Sequence, residues 1–251
     1  MSGRTVALKV LDMRILAKQK QRMARAYKGK SPPTESEVLM TMRDPNVVQT
    51  FDHGISTKNE EFIVMEFIEG VSLNFLVETK SSQVAGKRID YLIQAAKGLA
   101  YVHEQKYIHR DVCPRNLMVT PENVVKLIDF GLAVPNAPEF RRPGNRAGTA
   151  NYMAPELIKR EPTDERVDIF SFGVMTYECL TGKFPWDAPD SMQMMVMHMN
   201  APPKDPRDLN PELDEELAKL MLHSIAQNPK RRIGSMKELV ERLQSLQRQN
   251  Y

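Results

Sequence analysis

The sequence predicts an α+β fold, with strands in the first quarter of the chain and helices in the rest. Arg4–Leu11 alternates branched apolar residues with other side chains, which is typical of a strand. Ile89–Ala100 instead carries apolar residues at the spacing of one helix face. Because the pattern changes near residues 68–70, we predict two domains, residues 1–68 and residues 69–251.

The first domain is predicted to contain three strands and one helix. The strands are Arg4–Leu11, Val47–Phe51 and Glu61–Phe67, the last two joined by the turn-rich stretch Asp52–Asn59. The helix is Glu35–Met42, because the preceding prolines and Thr34 suit a helix start. Residues 14–30 carry basic side chains and no acid, so we expect an exposed connection or, alternatively, a docking patch for an acidic partner.

The second domain is predicted to be mainly helical. A hairpin is expected over Leu117–Thr120 and Val124–Ile128, followed by a loop over residues 132–148. The later helices are expected at residues 167–180, 212–226 and 235–248, and the first of these is apolar enough to be central.

Composition limits the functions to consider. The 251 residues include 35 Lys plus Arg and 32 Asp plus Glu, and the net charge of +3 is too small to indicate a nucleic-acid partner. No apolar run is long enough to predict a membrane span. Cys113 and Cys179 lie far apart and suit a reducing compartment, and the first ten residues lack the apolar core of a signal peptide. A cytoplasmic location is therefore expected.

Short motifs follow one another in a fixed order along the chain. They are Val6-Ala7-Leu8-Lys9, His109-Arg110-Asp111 with Asn116, Asp129-Phe130-Gly131, Gly148-Thr149 and Ala154-Pro155-Glu156. Each is weak alone, but the ordered set resembles the protein kinase superfamily over essentially the whole chain. Gly148-Thr149 resembles the serine/threonine kinases, and the tail from Asn210 to Leu243 looks most like bacterial members. The resemblance implies a two-lobed fold with a truncated N-terminal lobe and a helical C-terminal lobe.

The resemblance also implies a serine/threonine kinase that uses ATP and Mg²⁺ on a protein substrate. Asp111 would accept the substrate hydroxyl proton, and Asn116 and Asp129 would offer oxygen ligands to Mg²⁺. Lys9 would hold the α- and β-phosphates. Glu35 would orient Lys9, since it lies ten residues before Pro45, with Glu37 as the alternative.

The same resemblance implies a set of adenine-binding residues. Met65 would guard the pocket behind adenine, and the backbone of Glu66 and Ile68 would bond its edge. Ala7 and Met118 would sandwich the ring, although a plain core role is equally compatible with their strand positions.

The sequence departs from the family at its start and in the catalytic loop. Lys9 lies only eight residues after Met1, so the Gly-rich hairpin over the phosphates is absent. We expect a truncated chain, a misassigned start or a partner that completes the sheet. Cys113 stands where the family usually has lysine, and Arg115 is the candidate replacement, while Thr149 and its surroundings favour serine/threonine specificity. Cys113 itself is expected to be a small packed residue or a reactive thiol.

A further departure concerns the loop after Asp129. Between Gly131 and Thr149 there is no Ser, Thr or Tyr. Our hypothesis is that Glu139 supplies the negative charge for Arg110, or that the loop needs none.

Three functions are compatible with these features. The first is an active kinase, which the retention of Asp111 and Asp129 favours. The second is a pseudokinase or binding module, favoured by the missing hairpin and by Cys113. The third is a small-molecule phosphotransferase, against which the segment from Gly148 to Glu156 argues.

Overall fold

A three-stranded antiparallel sheet forms the N-terminal part of the protein. The computed structural model describes residues 3–27, 29–84, 86–142 and 146–250. The strands are β1 (Val6–Val10), β2 (Thr50–Ile55) and β3 (Glu61–Glu66), in the order β1-β3-β2. The register places Ala7 opposite Met65 and Lys9 opposite Ile63. Ala7 and Lys9 therefore share one half-buried face of β1, since alternate residues of a strand point the same way.

Two helices, and not the single one predicted, accompany this sheet. Helix α1 (Met13–Ala26) occupies most of the basic stretch that we expected to be an exposed connection, and α2 (Glu35–Thr41) follows. Thr34 caps α2 through a reciprocal pair of bonds with Glu37, which satisfies backbone donors that the first turn leaves free. The side chain of Leu16 packs against the core. This tertiary contact stabilises a helix that the charge pattern alone did not predict.

Strand β2 also differs from the prediction. It begins at Thr50 and continues to Ile55, through part of the stretch expected to form the turn. The register shifts between Thr50 and Asp52. A bulge of this kind lets a strand continue across residues that break its alternation.

The rest of the chain is mainly helical, which confirms the α+β prediction. Its helices are α3 (Leu73–Glu78), α4 (Arg88–Glu104), α5 (Pro155–Ile158), α6 (Arg166–Thr181), α7 (Ser191–Asn200), α8 (Glu215–Ser224) and α9 (Met236–Asn250). Short strands β4 (Val71–Ser72), β6 (Leu117–Val119) and β7 (Val125–Leu127) form one sheet, and β5 (Tyr107–Ile108) pairs with β8 (Val134–Pro135). Among the described residues, no helix has both the length and the apolarity needed to cross a membrane.

Helix α6 lies at the centre of this helical part. Nearly all of its residues are buried, including the charged Asp168. An apolar helix buried on every side matches the prediction of a central helix at residues 167–180. It gives the loops around it a rigid base.

Candidate active site

The loop before Asp111 is anchored to α6. The buried carboxylate of Asp168 accepts bonds from the backbone amides of His109 and Arg110, at 2.8 and 2.7 Å, and from Nε2 of His103 at 2.8 Å. Burial alone would raise the pKa of Asp168, but these bonds and the nearby histidines hold it below its usual value. No role was predicted for Asp168 from the sequence. Its contacts make it the anchor of this loop.

The carboxylate of Asp111 is fixed on both oxygens. Oδ1 accepts bonds from the amide and the hydroxyl of Thr149, at 2.8 and 2.7 Å, and Oδ2 accepts one from Nδ2 of Asn116 at 3.1 Å. Gly148 permits the close approach of the Thr149 segment, because its φ is +127° and a Cβ there would lie 2.6 Å from the carbonyl oxygen of Arg110. Asp111 therefore contacts Asn116 and Thr149, two other residues singled out from the sequence.

A second cluster brings together Lys9 and two carboxylates. Nζ of Lys9 lies 2.7 and 2.8 Å from the two carboxylate oxygens of Glu35, and 3.2 Å from Oδ1 of Asp129. Glu35 also accepts a bond from the amide of Phe130 at 3.2 Å. The alternative, Glu37, caps α2 instead.

The charges in this second cluster stabilise one another. Burial lowers the pKa of Lys9, but Glu35 and Asp129 outweigh it and hold that pKa above its usual value. Burial likewise raises the pKa of Asp129, whereas the charge of Lys9 and the amide of Gly131 outweigh it and lower that pKa. Asp129 is therefore ionised at neutral pH.

A cavity of about 890 Å³ borders this cluster. Lys9, Glu35, Asp129 and Phe130 line it together with the loop before α2. The side chain of Asp129 is 48% exposed, and its φ of +63° lies in the left-handed region that non-glycine residues adopt uncommonly. Mg²⁺ prefers oxygen ligands such as an ionised carboxylate and the amide oxygen of Asn116. Because Mg²⁺ keeps several waters and also binds substrate phosphates, a site for it needs only a few protein ligands.

The residues expected around adenine lie on β1, on the β3 end and on β6. Ala7 faces Met65 across the β1–β3 pair, and Met118 on β6 is half-buried. Met65 and Ile68 are half-buried and pack against the core. The carboxylate of Glu66 accepts bonds from the Gln49 amide at 2.7 Å and from Nζ of Lys126 at 2.8 Å. These bonds fix the segment that follows β3.

Cys113 and Arg115 have opposite environments. Cys113 is buried, and burial raises the pKa of its thiol, so the small packed residue is favoured over the reactive thiol. The side chain of Arg115 is exposed, on a short 3₁₀ turn that also carries Asn116.

The hypothesis that Glu139 neutralises Arg110 is wrong. Oε1 of Glu139 lies 3.2 Å from Nζ of Lys30. The guanidinium of Arg110 bonds instead to the hydroxyl of Tyr27 and, at 3.0 Å, to the carbonyl oxygen of Phe140. No motif marks Tyr27, so this contact could not be predicted from the sequence.

Comparison with known proteins agrees with this geometry. Residues 1–243 match the model of the protein kinase domain. The chain belongs to the protein kinase domain family. This membership confirms the resemblance on which the sequence analysis relied.

Relatives of this kinase domain carry serine/threonine kinase names. A probable serine/threonine-protein kinase of Clostridium acetobutylicum is 33% identical over 86% of the chain and 33% of its own length. A probable serine/threonine-protein kinase of Clostridium perfringens is 30% identical over 98% of the chain and 35% of its own length. The serine/threonine-protein kinase PknB of Mycolicibacterium smegmatis is 31% identical over 82% of the chain and 34% of its own length. The chain thus spans about a third of the length of these relatives.

Proposed function

We propose that this chain transfers the γ-phosphoryl group of ATP to a serine or threonine hydroxyl of a protein substrate. The observation that carries the proposal is the fixed carboxylate of Asp111, held on both oxygens by Thr149 and Asn116. Phosphoryl transfer depends on positioning and charge neutralisation more than on covalent catalysis. A carboxylate held in one orientation meets the need for positioning.

Asp111 is proposed to act on the substrate hydroxyl. It accepts the hydrogen bond of that hydroxyl, orients the oxygen toward the γ-phosphorus and takes the proton, while the new O–P bond forms and the bond from the γ-phosphorus to the departing ADP breaks. Thr149 keeps Oδ1 in place, and its position on the segment before α5 supports a role beside the protein substrate. The exposed guanidinium of Arg115 is proposed to contact the transferred phosphate.

Lys9, Asn116 and Asp129 are proposed to hold the phosphates. Lys9 supplies a cation that Glu35 orients, as their 2.7 Å contact supports. Asn116 and Asp129 would hold Mg²⁺, which neutralises phosphate charge when bound.

The nucleotide base is proposed to lie between Ala7 and Met118. The backbone of Glu66 and Ile68 would bond its edge, and Met65 would border the pocket behind it. A cytoplasmic location is part of the proposal and rests on the two unpaired cysteines, which suit a reducing compartment.

Nucleotide binding without transfer is the second candidate function. The observation that favours it is Cys113, whose buried thiol offers no charge to a phosphate. Losing one charge-assisted bond costs about 1.5–3 kcal/mol, or roughly one to two orders of magnitude in rate. That loss reduces transfer without abolishing it, so the active kinase remains our conclusion.

The test is transfer of labelled phosphate from ATP with Mg²⁺ to a generic serine/threonine protein substrate. We expect Asp111→Asn to lower kcat at least about 100-fold, because the amide no longer takes the proton. Asp190→Asn is the matched control, since Asp190 is exposed and asparagine caps α7 equally well.

Each outcome separates the candidate functions. Transfer that persists in Asp111→Asn would contradict the proposal. Binding of a fluorescent ATP analogue, with no transfer by the wild-type chain, would favour the binding module.

A further inference from the structure

The guanidinium of Arg110 is a buried cation directly before Asp111. Arg110 is 4% exposed and has a φ of +69°. Its own amide is fixed by Asp168, so its side chain and the Asp111 backbone share one anchored turn. A buried charge is costly unless polar groups surround it. The partners of this guanidinium therefore bear on the position of Asp111.

Neutral oxygens provide those partners. Nη1 donates to the hydroxyl of Tyr27, and Nη2 donates to the carbonyl oxygen of Phe140 at 3.0 Å and to Oγ1 of Thr163 at 3.4 Å. In the part of the chain that the structure describes, no carboxylate forms an ion pair with Arg110, and Glu139 pairs with Lys30. A phenol hydroxyl takes the position where an anion would be expected.

Tyr27 reaches Arg110 from the N-terminal part of the molecule. It directly follows α1 and lies eight residues before Glu35. Tyr27 is 2% exposed, and its ring packs edge-on against Phe140 at a centroid distance of 5.1 Å. It thus connects three parts of the site: the segment leading to Glu35, the loop of Asp111 and the segment after Asp129.

The segment after Asp129 has no hydroxyl of its own to modify. Residues 132–148 contain no Ser, Thr or Tyr, so no phosphate ester can form there to neutralise Arg110. The contact with Tyr27 needs no modification, since both partners are already in place.

We propose that Tyr27 is a positioning residue: its hydroxyl holds Arg110, and through it Asp111 and residues 137–142, without phosphorylation of that segment. The inference rests on the proposed kinase function. Tyr27 touches neither substrate nor nucleotide in this proposal, and it acts on the reaction only through Arg110.

Tyr27→Phe removes the hydroxyl and keeps the ring against Phe140. We expect kcat to fall roughly tenfold, equivalent to about 1.4 kcal/mol, with the KM for ATP changed less than about twofold. Tyr91→Phe is the matched control. Tyr91 is also buried, and its hydroxyl donates to Oδ1 of Asn123 at 2.6 Å, outside the proposed site. This control should lose comparable stability and keep its kcat.

A double-mutant comparison separates positioning from a general loss of stability. In an Arg110→Gln background, Tyr27→Phe should have little further effect on kcat, because the contact is already gone. A tenfold loss in both backgrounds, or no loss in either, would overturn the proposal.

Amide hydrogen exchange tests the contact without relying on activity. Exchange over residues 137–142 should be faster in Tyr27→Phe and in Arg110→Gln than in Tyr91→Phe. If the wild-type chain transfers no phosphate, the kinase function fails, and the exchange result still decides the positioning role. Unchanged exchange in both variants would contradict that role.

Discussion

The Lys9–Glu35 pair is shielded from water on one side only. The side chain of Glu35 is 8% exposed and that of Lys9 33%. The carboxylate that orients the cation is therefore fixed by burial, while the ammonium stays accessible to a ligand. The amide of Phe130 also bonds to Glu35, so a change at this carboxylate affects both Lys9 and the segment of Asp129.

Glu35→Gln should weaken this arrangement far more than Glu37→Gln. The first removes the charge beside Lys9, and we expect kcat/KM for ATP to fall roughly 10- to 100-fold. The second keeps a capping-box residue in α2 and removes only a negative charge near the N-terminus of that helix, so we expect a loss of stability of about 0.3–1 kcal/mol with kcat/KM retained. Steady-state kinetics with ATP varied, together with urea unfolding, measures both. Equal kinetic losses in the two variants would show that Glu35 has no special role.

At the residue scale, a side-chain contact could be predicted where a spacing or a motif was available. Glu35 was selected by its distance from Pro45, and the structure brings it to Lys9. Tyr27 has no such signal, because its role depends on a contact with Arg110 across 83 positions. Glu139 was assigned to Arg110 from charge alone, and Lys30 competes for it.

At the scale of elements, α1 shows what a charge pattern leaves out. The basic stretch at residues 14–30 contains no acid. It therefore lacks the i, i+4 ion pairs that stabilise an isolated helix, and an exposed connection was predicted. Packing of Leu16 against the core supplies what local pairs do not. Helix α4 was predicted from its apolar stripe and α6 from its long apolar run, because the buried surface determines both elements.

The buried pair between Glu156 and Arg232 joins the four-residue helix α5 to the short 3₁₀ turn Pro229–Arg231, which Arg232 directly follows. Its contacts are 2.6 and 2.7 Å, and the side chains are 4% and 0% exposed. Arg232→Met would leave the carboxylate of Glu156 buried without a partner, and we expect a loss of about 3–5 kcal/mol in the free energy of unfolding.

The same substitution on a surface pair is the matched control. Arg242 pairs with Glu238 one turn away on α9, and its side chain is 50% exposed. Arg242→Met should cost only about 0.2–0.5 kcal/mol. Urea unfolding with a shared m-value compares the two variants. If Arg232→Met is no more destabilising than Arg242→Met, the pair is not a structural link.

At the scale of the whole molecule, α7 is attached to the central helix through an aromatic cluster around His198. The imidazole lies 4.6 Å from Trp186 and 5.3 Å from Phe170, measured between ring centroids. Its Nδ1 donates to the carbonyl oxygen of Met153 at 2.8 Å. Burial lowers the pKa of His198 to about 4, so the folded protein keeps this ring neutral.

This histidine should make stability depend on pH between about 6.5 and 4. In that window the unfolded chain binds a proton that the folded protein does not, so lowering the pH favours unfolding, by up to about 3 kcal/mol at pH 4. Asp168 affects stability at lower pH: its pKa lies below the usual 3.8 in the folded protein, so its contribution to the free energy of unfolding is lost only below about pH 4.

His198→Phe should flatten the dependence of the free energy of unfolding on pH between 6.5 and 4 and leave the dependence below pH 4 unchanged. Urea unfolding at half-unit pH steps measures this, with the exposed His223→Gln variant expected to follow the wild-type slope. A wild-type slope in His198→Phe would mean that other groups produce the pH dependence.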